Sequence, residues 1–261
     1  MKDFNNNIFI NMTKILKTEE FINEQVVSEM GMRVRNKNIQ QKMPDQLKKY
    51  NLVYNEATGL YDCDGNVKVE KDLVSPDGKL IIKFGDVGGW FNCRFNKLIS
   101  LEGAPQKVGG DFNCAGNKLT SLEGAPQEVS GGFYCYDNEL TSLEGAPQEV
   151  GGGFYCYANQ LISLEGSPQK VGGDFNCAGN KLTSLEGAPQ EVGGDFDCYN
   201  NQLTSLSGAP QEVSEDFYCY GNNLVFDEPH FYGCLPDVIG GELKADDGCD
   251  YELAKNYYNQ R

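Results

Sequence analysis

One asparagine recurs every 21 residues through the middle of this 261-residue chain. It lies within a unit that reads V-G-G-x-F-x-C-x-x-N-x-L-T-S-L-E-G-A-P-Q-x, and the unit returns seven times without slippage of the period. A fixed period of this length predicts a repeat solenoid, because a short unit cannot bury its apolar side chains alone and must stack on its neighbours. The recurring residues are Asn96, Asn117, Asn138, Asn159, Asn180, Asn201 and Asn222.

Each unit contains the pattern of a short strand. Phe112 and Cys114 are separated by one polar residue, so an extended chain points both to one face and points Asp111, Asn113 and Ala115 to the other. Every copy runs in the same direction, and neighbouring copies can therefore pair in register only as parallel strands. The sequence predicts a solenoid with one parallel sheet.

The repeated asparagine and cysteine have structural explanations. Each asparagine follows the inward cysteine by three residues, where its amide can satisfy backbone groups that the turn leaves unpaired. A buried thiol behaves as a small apolar side chain. Thiolates stacked at one strand spacing lie in a line, whereas zinc requires four converging ligands. We therefore predict seven buried, reduced thiols: Cys93, Cys114, Cys135, Cys156, Cys177, Cys198 and Cys219.

These residues resemble the leucine-rich repeat family. The stretch "GGDFNCAGNKL" is similar to the pattern L-x-x-L-x-L-x-x-N-x-L, with Phe112 and Cys114 at two apolar positions, then Asn117 and Leu119, although Gly109 departs from the first leucine. The short unit with "SLEGAP" looks like the bacterial and bacteriophage branch. The resemblance implies a right-handed superhelix with one parallel sheet on its concave side and an extended or polyproline-like convex side. It also implies protein recognition by the concave sheet.

Composition divides the chain into four parts, and the first of them differs from all that follows. "KTEEFINEQVVSEM" places Ile22, Val26 and Met30 on one helical stripe, so we expect a short N-terminal helix. This helix either docks on the first coil or is a detachable, partner-binding element. The parts are an N-terminal helical or linker segment at 1–50, a degenerate cap coil at 51–86, seven repeats at 87–224 and a C-terminal cap at 225–261.

The charge of the chain restricts its partners. The formal net charge is −16, and residues 87–224 hold 17 acidic and 6 basic side chains. Such a surface repels nucleic acid and favours a protein partner with a basic surface. We find no signal peptide and no apolar run long enough to cross a membrane, so we expect no membrane association and a cytoplasmic protein, in the host cell or in the virion if the source is a phage. The oligomeric state stays open.

Residues suited to catalysis are scarce. The chain has one histidine, His230, so the repeats offer neither a cysteine–histidine pair nor a multi-histidine metal site. "YDCDGN" and "DDGCD" lack the ligand order of a calcium loop and read as turns. We expect no catalytic residue, no metal site, no cofactor and no enzymatic activity.

The outward positions of the strands differ between copies and are rich in tyrosine and aspartate. Tyrosine offers a large contact area with few rotatable bonds, and carboxylates steer a basic partner. This composition predicts a partner-binding face, although tyrosine and aspartate also tolerate an exposed strand surface in a recently duplicated array. The predicted partner-binding residues are Trp90, Arg94, Asp111, Tyr134, Tyr136, Tyr155, Tyr157, Asp174, Asp195, Asp197, Tyr199, Asp216, Tyr218 and Tyr220.

Two further functions compete with protein recognition. The stretch "TEEFINEQVV" resembles the capsid-targeting leader of internal head proteins in T-even bacteriophages, which implies a structural or packaged virion component. The tyrosines of the outward face are also compatible with glycan binding.

Overall fold

The computed structural model describes residues 48–225, 231 and 234–246. The predicted N-terminal helical stripe and His230 lie outside these residues. Within them the chain forms a β-solenoid of about eight coils, and each complete coil contributes one short strand to each of two sheets. The predicted repeat solenoid is confirmed.

The first sheet contains the Phe-x-Cys segments. Its strands are parallel and in register, so that each phenylalanine pairs with the phenylalanine of the next coil, as Phe154 does with Phe175. This is the parallel sheet that the sequence predicts. Its nine strands are β3 (Val67–Lys68), β5 (Phe91–Asn92), β7 (Phe112–Asn113), β9 (Phe133–Tyr134), β11 (Phe154–Tyr155), β13 (Phe175–Asn176), β15 (Phe196–Asp197), β17 (Phe217–Tyr218) and β19 (Leu243–Lys244).

A second sheet, which the sequence analysis did not foresee, is formed where the chain returns towards the Gly-Gly pair. Two residues of each return segment are extended, and the constant period aligns them with their equivalents in the neighbouring coils. All pairs are parallel except the antiparallel hairpin of β1 and β2. Its ten strands are β1 (Val53–Asn55), β2 (Leu60–Cys63), β4 (Phe84–Val87), β6 (Lys107–Val108), β8 (Glu128–Val129), β10 (Glu149–Val150), β12 (Lys170–Val171), β14 (Glu191–Val192), β16 (Glu212–Val213) and β18 (Val238–Ile239).

The core lies between the two sheets and is built in columns. The phenylalanine of each Phe-x-Cys segment has no exposed surface, and adjacent rings lie 5.1 to 5.7 Å apart between centroids. These residues are Phe91, Phe112, Phe133, Phe154, Phe175, Phe196 and Phe217. The seven repeat cysteines are fully buried as well, as predicted. Burial raises the pKa of the Cys93 thiol to about 12, so it stays protonated. Stacked burial of this kind links every coil to its neighbours.

The predicted asparagine ladder is confirmed. The side-chain nitrogen of Asn159 donates to the carbonyl oxygens of Cys135 and Cys156 at 3.1 and 3.0 Å. Its side-chain oxygen accepts from the backbone nitrogen of Leu140 at 3.1 Å. The side chain is 8% exposed. Each asparagine of this kind thus joins two coils through buried bonds that water cannot replace.

The turn before "AP" requires glycine. The six glycines at this position have φ between 84° and 93°, a left-handed conformation that side chains disfavour. At Gly145 an added Cβ would also lie 2.6 Å from the carbonyl group of Leu122. The Gly of "EGAP" is therefore fixed by backbone geometry. These glycines are Gly103, Gly124, Gly145, Gly166, Gly187 and Gly208.

Both ends of the array depart from the repeat. At the N-terminal end Val67 pairs with Phe91 and Val69 accepts a bond from Asn96, so the two valines occupy the phenylalanine and cysteine places. Asp72 stands in the asparagine place and accepts a bond from the Tyr50 hydroxyl at 2.9 Å.

A further coil lies beyond Leu224, where the sequence analysis saw no repeat. Val238 pairs with Glu212 of β16 and Leu243 pairs with Phe217 of β17, both at a spacing of 26 residues, which is five more than the period. The stretch "PDVIGGELKADD" aligns with "PQEVSEDFYCYG" of the preceding repeat. Five extra residues between the two stretches hide this match when the chain is read with a period of 21 residues.

Candidate functional site

The outward side of the nine-stranded sheet carries the predicted partner-binding residues. In-register pairing aligns them in three columns: the residue before each phenylalanine, the residue after it and the residue after each cysteine. We call this surface the tyrosine face. The predicted partner-binding side chains are half-buried or exposed, whereas Ala115 and Ala178 of the same columns are buried. Trp90 and Tyr220 are the most exposed aromatic residues among the predicted set, at 37% and 38%.

Six tyrosines of this face form three stacked pairs between adjacent coils. The ring centroids of Tyr134 and Tyr155 lie 4.9 Å apart with an interplanar angle of 3°. Tyr136 and Tyr157 lie 4.5 Å apart at 6°, and Tyr199 and Tyr220 lie 4.8 Å apart at 6°. Because each pair stacks along the direction of strand pairing, the rings present their edges and hydroxyl groups, rather than their inner faces, to a partner.

A depression of 660 Å³ lies over five of these tyrosines, all except Tyr220. A concave surface with several aromatic side chains and a few polar groups is typical of binding sites. Its lining combines predicted residues with two asparagines that the sequence analysis left out of the site. The described lining residues are Arg94, Asn113, Tyr134, Tyr136, Tyr155, Tyr157, Asn176 and Tyr199.

Two glycines make room for the central tyrosine pair. A Cβ added at Gly132 would lie 2.8 Å from the Tyr134 ring, and one added at Gly153 would lie 2.6 Å from the Tyr155 ring. In the coils of β13 and β15, aspartate stands in the place of this glycine, and the residue after the phenylalanine is asparagine or aspartate instead of tyrosine. The last repeat departs from this pattern, because Asp216 precedes Phe217 and accepts a bond from the Tyr218 hydroxyl.

The aspartates of the face bind backbone as well as facing solvent. Asp174 accepts a bond from the amide nitrogen of Asp195 at 3.1 Å, Asp195 does so from Asp216 at 2.8 Å, and Asp216 does so from Glu242 at 2.7 Å. Asp111 accepts equivalently from Gly132. The sequence indicates only a steering role for these carboxylates, whereas in the structure one oxygen of each also joins two coils.

Hydrogen bonds and burial set the ionisation of this surface. The Tyr155 hydroxyl donates to Asp174 at 3.0 Å, and burial followed by this bond raises its pKa. The Tyr218 hydroxyl donates to Asp216 at 2.8 Å, which raises the pKa of Tyr218 to about 12. Burial, then the nearby charges of Asp195 and Asp174, raise the pKa of Asp197 to about 6.

Phe95 belongs to the same surface, and the sequence analysis missed it. Its φ is 56° and its side chain is 63% exposed, an uncommon combination for a large aromatic residue. The ring lies where a Cβ on Gly116 would meet it at 2.2 Å, and the Arg94 guanidinium lies 5.7 Å from its centroid. The sequence did contain a signal for Phe95, because the other six repeats have Gly, Asp, Ala or Asn at the equivalent position.

The described residues lack two features. They contain no cluster of three or more histidine, cysteine, aspartate or glutamate side chains arranged to hold a metal ion. Within the same ranges, no helix has the length and apolar character needed to span a bilayer.

Comparisons with known proteins add no relative to this description. No protein-family model matches the chain, and no curated protein or solved structure shows a significant similarity to it.

Proposed function

We propose that this chain is a non-enzymatic protein-recognition module that binds a partner with a basic surface through the tyrosine face. The observation that carries the proposal is the 660 Å³ depression lined by stacked tyrosine pairs. Tyrosines held by stacking lose little further freedom on binding, so they suit the role of anchors. The neighbouring aspartates supply the negative potential that attracts a basic partner.

A pull-down from a bacterial lysate tests the proposal. The wild-type protein is compared with the double variant Tyr136→Ala and Tyr157→Ala, which removes one stacked pair from the depression. The matched control is Tyr54→Ala and Tyr61→Ala, which removes an aromatic pair with a centroid distance of 5.2 Å from the β1–β2 hairpin. We expect a partner that the control retains and the depression variant loses. A partner retained equally by all three proteins excludes the tyrosine face.

The anchors and the aspartates are expected to act on different rate constants. Truncating a central tyrosine speeds dissociation, whereas Asp174→Asn and Asp216→Asn mainly slow association and weaken its dependence on salt, because they lower the long-range field. Surface plasmon resonance at two ionic strengths separates the two effects. Equal losses in dissociation for both kinds of variant would contradict this division.

The finer assignment to bacterial or bacteriophage leucine-rich repeats belongs to the same proposal. The buried asparagine ladder supports it, as does the leucine that follows two residues after each asparagine and is fully buried in every repeat but the last. The second parallel sheet differs from the extended or polyproline-like side that the resemblance implies.

Glycan binding is the second candidate, and the aromatic lining of the depression favours it. Sugars bind to the flat faces of aromatic rings, whereas the inner faces of each stacked pair are covered by the partner ring. Retention on a glycan array that Tyr157→Ala abolishes would support this function over protein recognition.

The virion hypothesis rests on "TEEFINEQVV", which lies outside the described residues. Mass spectrometry of purified phage particles tests it, and absence of the protein from the particles would exclude it.

A further inference from the structure

The depression on the tyrosine face has opposite charges at its two ends. Arg94, in the coil of β5, is the one cation among its described lining residues. The far wall is Tyr199, in the coil of β15, where Asp195 and Asp197 occupy the other two outward columns. The described lining residues between these ends are uncharged tyrosines and asparagines. Asp111 and Asp174 lie on the same face in the coils of β7 and β13, outside this lining, as do Asp195 and Asp197 in the coil of β15. The charge at the depression therefore changes from positive to negative along the solenoid axis.

The length of this surface suits an extended peptide segment. From β5 to β15 the sheet advances by five strands, which is about 24 Å at about 4.8 Å for each step. An extended chain of about seven residues has the same length. A compact side chain or a single ion would contact only one end of it.

Two carboxylate oxygens at the acidic end lack a donor among the described residues. Asp174 binds the Asp195 amide through one oxygen and the Tyr155 hydroxyl through the other. Asp195 uses only Oδ1, for the Asp216 amide, and Asp197 uses only Oδ2, for the Asn176 side chain at 2.7 Å. The remaining Asp195 Oδ2 and Asp197 Oδ1 are available to an arginine or lysine.

The basic end is equally available. No described carboxylate forms an ion pair with Arg94, and its guanidinium lies beside the exposed Phe95 ring. Arginine binds carboxylates through two parallel hydrogen bonds, so Arg94 can hold an acidic group in a fixed direction. Phe95 adds apolar area at the point where such a group would enter.

We propose that the depression binds an extended segment of its partner along the solenoid axis, with a carboxylate over Arg94 and an arginine or lysine over Asp195 and Asp197. Uncharged residues between these two groups lie over the tyrosine pairs. This inference rests on the proposed function and adds the composition and orientation of the bound segment. A partner that is basic throughout would place a positive charge against Arg94.

Selection from a displayed library of random linear octapeptides tests the orientation. We expect peptides selected on the wild-type protein to carry an acidic residue near one end and a basic residue near the other, with four to six residues between them, as the span of about 24 Å requires. Arg94→Glu should select a basic residue in place of the acidic one. It should also weaken binding of a wild-type-selected peptide at least about tenfold in titration calorimetry, as loss of a charge-assisted pair does.

Asp195→Asn with Asp197→Asn should remove the preference for the basic residue while leaving the acidic one. The asparagine at 195 keeps an oxygen for the Asp216 amide, so the coil contact is preserved. Lys118→Glu is the matched control for Arg94→Glu, because Lys118 is exposed in the adjoining coil and outside the described lining of the depression. It should select the same peptides as the wild type.

The outcomes distinguish this inference from the function on which it rests. Wholly basic peptides that require Tyr136 and Tyr157 would overturn the orientation and leave recognition by the tyrosine face intact. Peptides selected equally by the Tyr136→Ala and Tyr157→Ala variant would overturn both. The orientation also fails if Arg94→Glu selects the wild-type peptides, or if the wild-type protein enriches none.

Discussion

The two sheets are built from the same repeat, yet their outward sides differ. The ten-stranded sheet presents one exposed charged residue from each regular coil, and we call this its charged face. The nine-stranded sheet presents half-buried tyrosines, aspartates and asparagines that contact one another between coils. The residues of the charged face are Asp86, Lys107, Glu128, Glu149, Lys170, Glu191 and Glu212.

This difference separates a solvated surface from a candidate binding surface. On the charged face, Lys107 pairs with Glu128 and Lys170 with Glu191, both at 2.7 Å, and their side chains stay more than half exposed. Such pairs contribute little because water screens them. On the tyrosine face the contacts are aromatic stacks and bonds to backbone. We infer that a partner distinguishes the two faces and that neither carries most of the stability, which comes from the shared core.

The largest expected effect is on binding. Tyr136→Ala with Tyr157→Ala should cost about 2 to 4 kcal/mol of affinity for the partner recovered by pull-down, because buried aromatic anchors dominate interfaces. The matched change on the other side, Glu149→Ala with Glu191→Ala, should alter the affinity less than about threefold. Titration calorimetry measures both. Comparable losses for the two double variants would remove the distinction between the faces.

The shared core is tested by Asn159→Ala. After this substitution the Cys135 and Cys156 carbonyls each keep one of their two side-chain donors, from Asn138 and Asn180. The Leu140 amide loses its buried acceptor, so the free energy of unfolding should fall by about 1 to 3 kcal/mol. Chemical denaturation gives the value. The neighbouring Gln160→Ala, at an exposed position, is the control and should change it by less than about 0.5 kcal/mol. An unchanged midpoint for Asn159→Ala would contradict the ladder.

The pH dependence of stability should differ between the faces. The folded pKa of Asp197, about 6, lies above that of an unfolded aspartate, about 3.9. Between these values the unfolded chain releases its proton first, so the contribution of Asp197 is most favourable below pH 4 and falls as the pH rises to 6.

Asp197→Asn removes this titration. The free energy of unfolding of this variant, relative to that of the wild type, should rise by about 1 kcal/mol between pH 4 and pH 7. This figure is reduced for the partial exposure of the site. Denaturation at several pH values provides the test, and a constant difference between Asp197→Asn and the wild type would refute the assignment.

The smallest expected effect concerns the ion pairs of the charged face. Lys107→Ala removes an exposed pair with Glu128 and should change the free energy of unfolding by less than about 0.5 kcal/mol. The same denaturation experiment at low and high salt measures it. A loss above about 1 kcal/mol would show that the charged face contributes to stability more than its exposure indicates.

Much of the fold is readable from the residues because the period is constant. Equal spacing forces in-register parallel stacking, and the Phe-x-Cys alternation then decides which side chains are buried. Asn117 and Cys114 could be assigned correctly for this reason, since each has the same neighbours in every coil. The last coil escaped detection because five inserted residues break the period, although Val238 and Leu243 still pair as the repeat requires.

The sequence by itself determined the solenoid, its core columns and the set of outward residues. Only the tertiary structure decided how those outward residues meet: tyrosines stack in pairs, and aspartates accept backbone bonds. Asp195 and Asp197 each keep one oxygen that accepts no bond from the described residues. The reason is that burial follows from the direction of a side chain along one strand. Contacts on the surface depend instead on the rotamers and sizes of side chains from coils 21 residues apart.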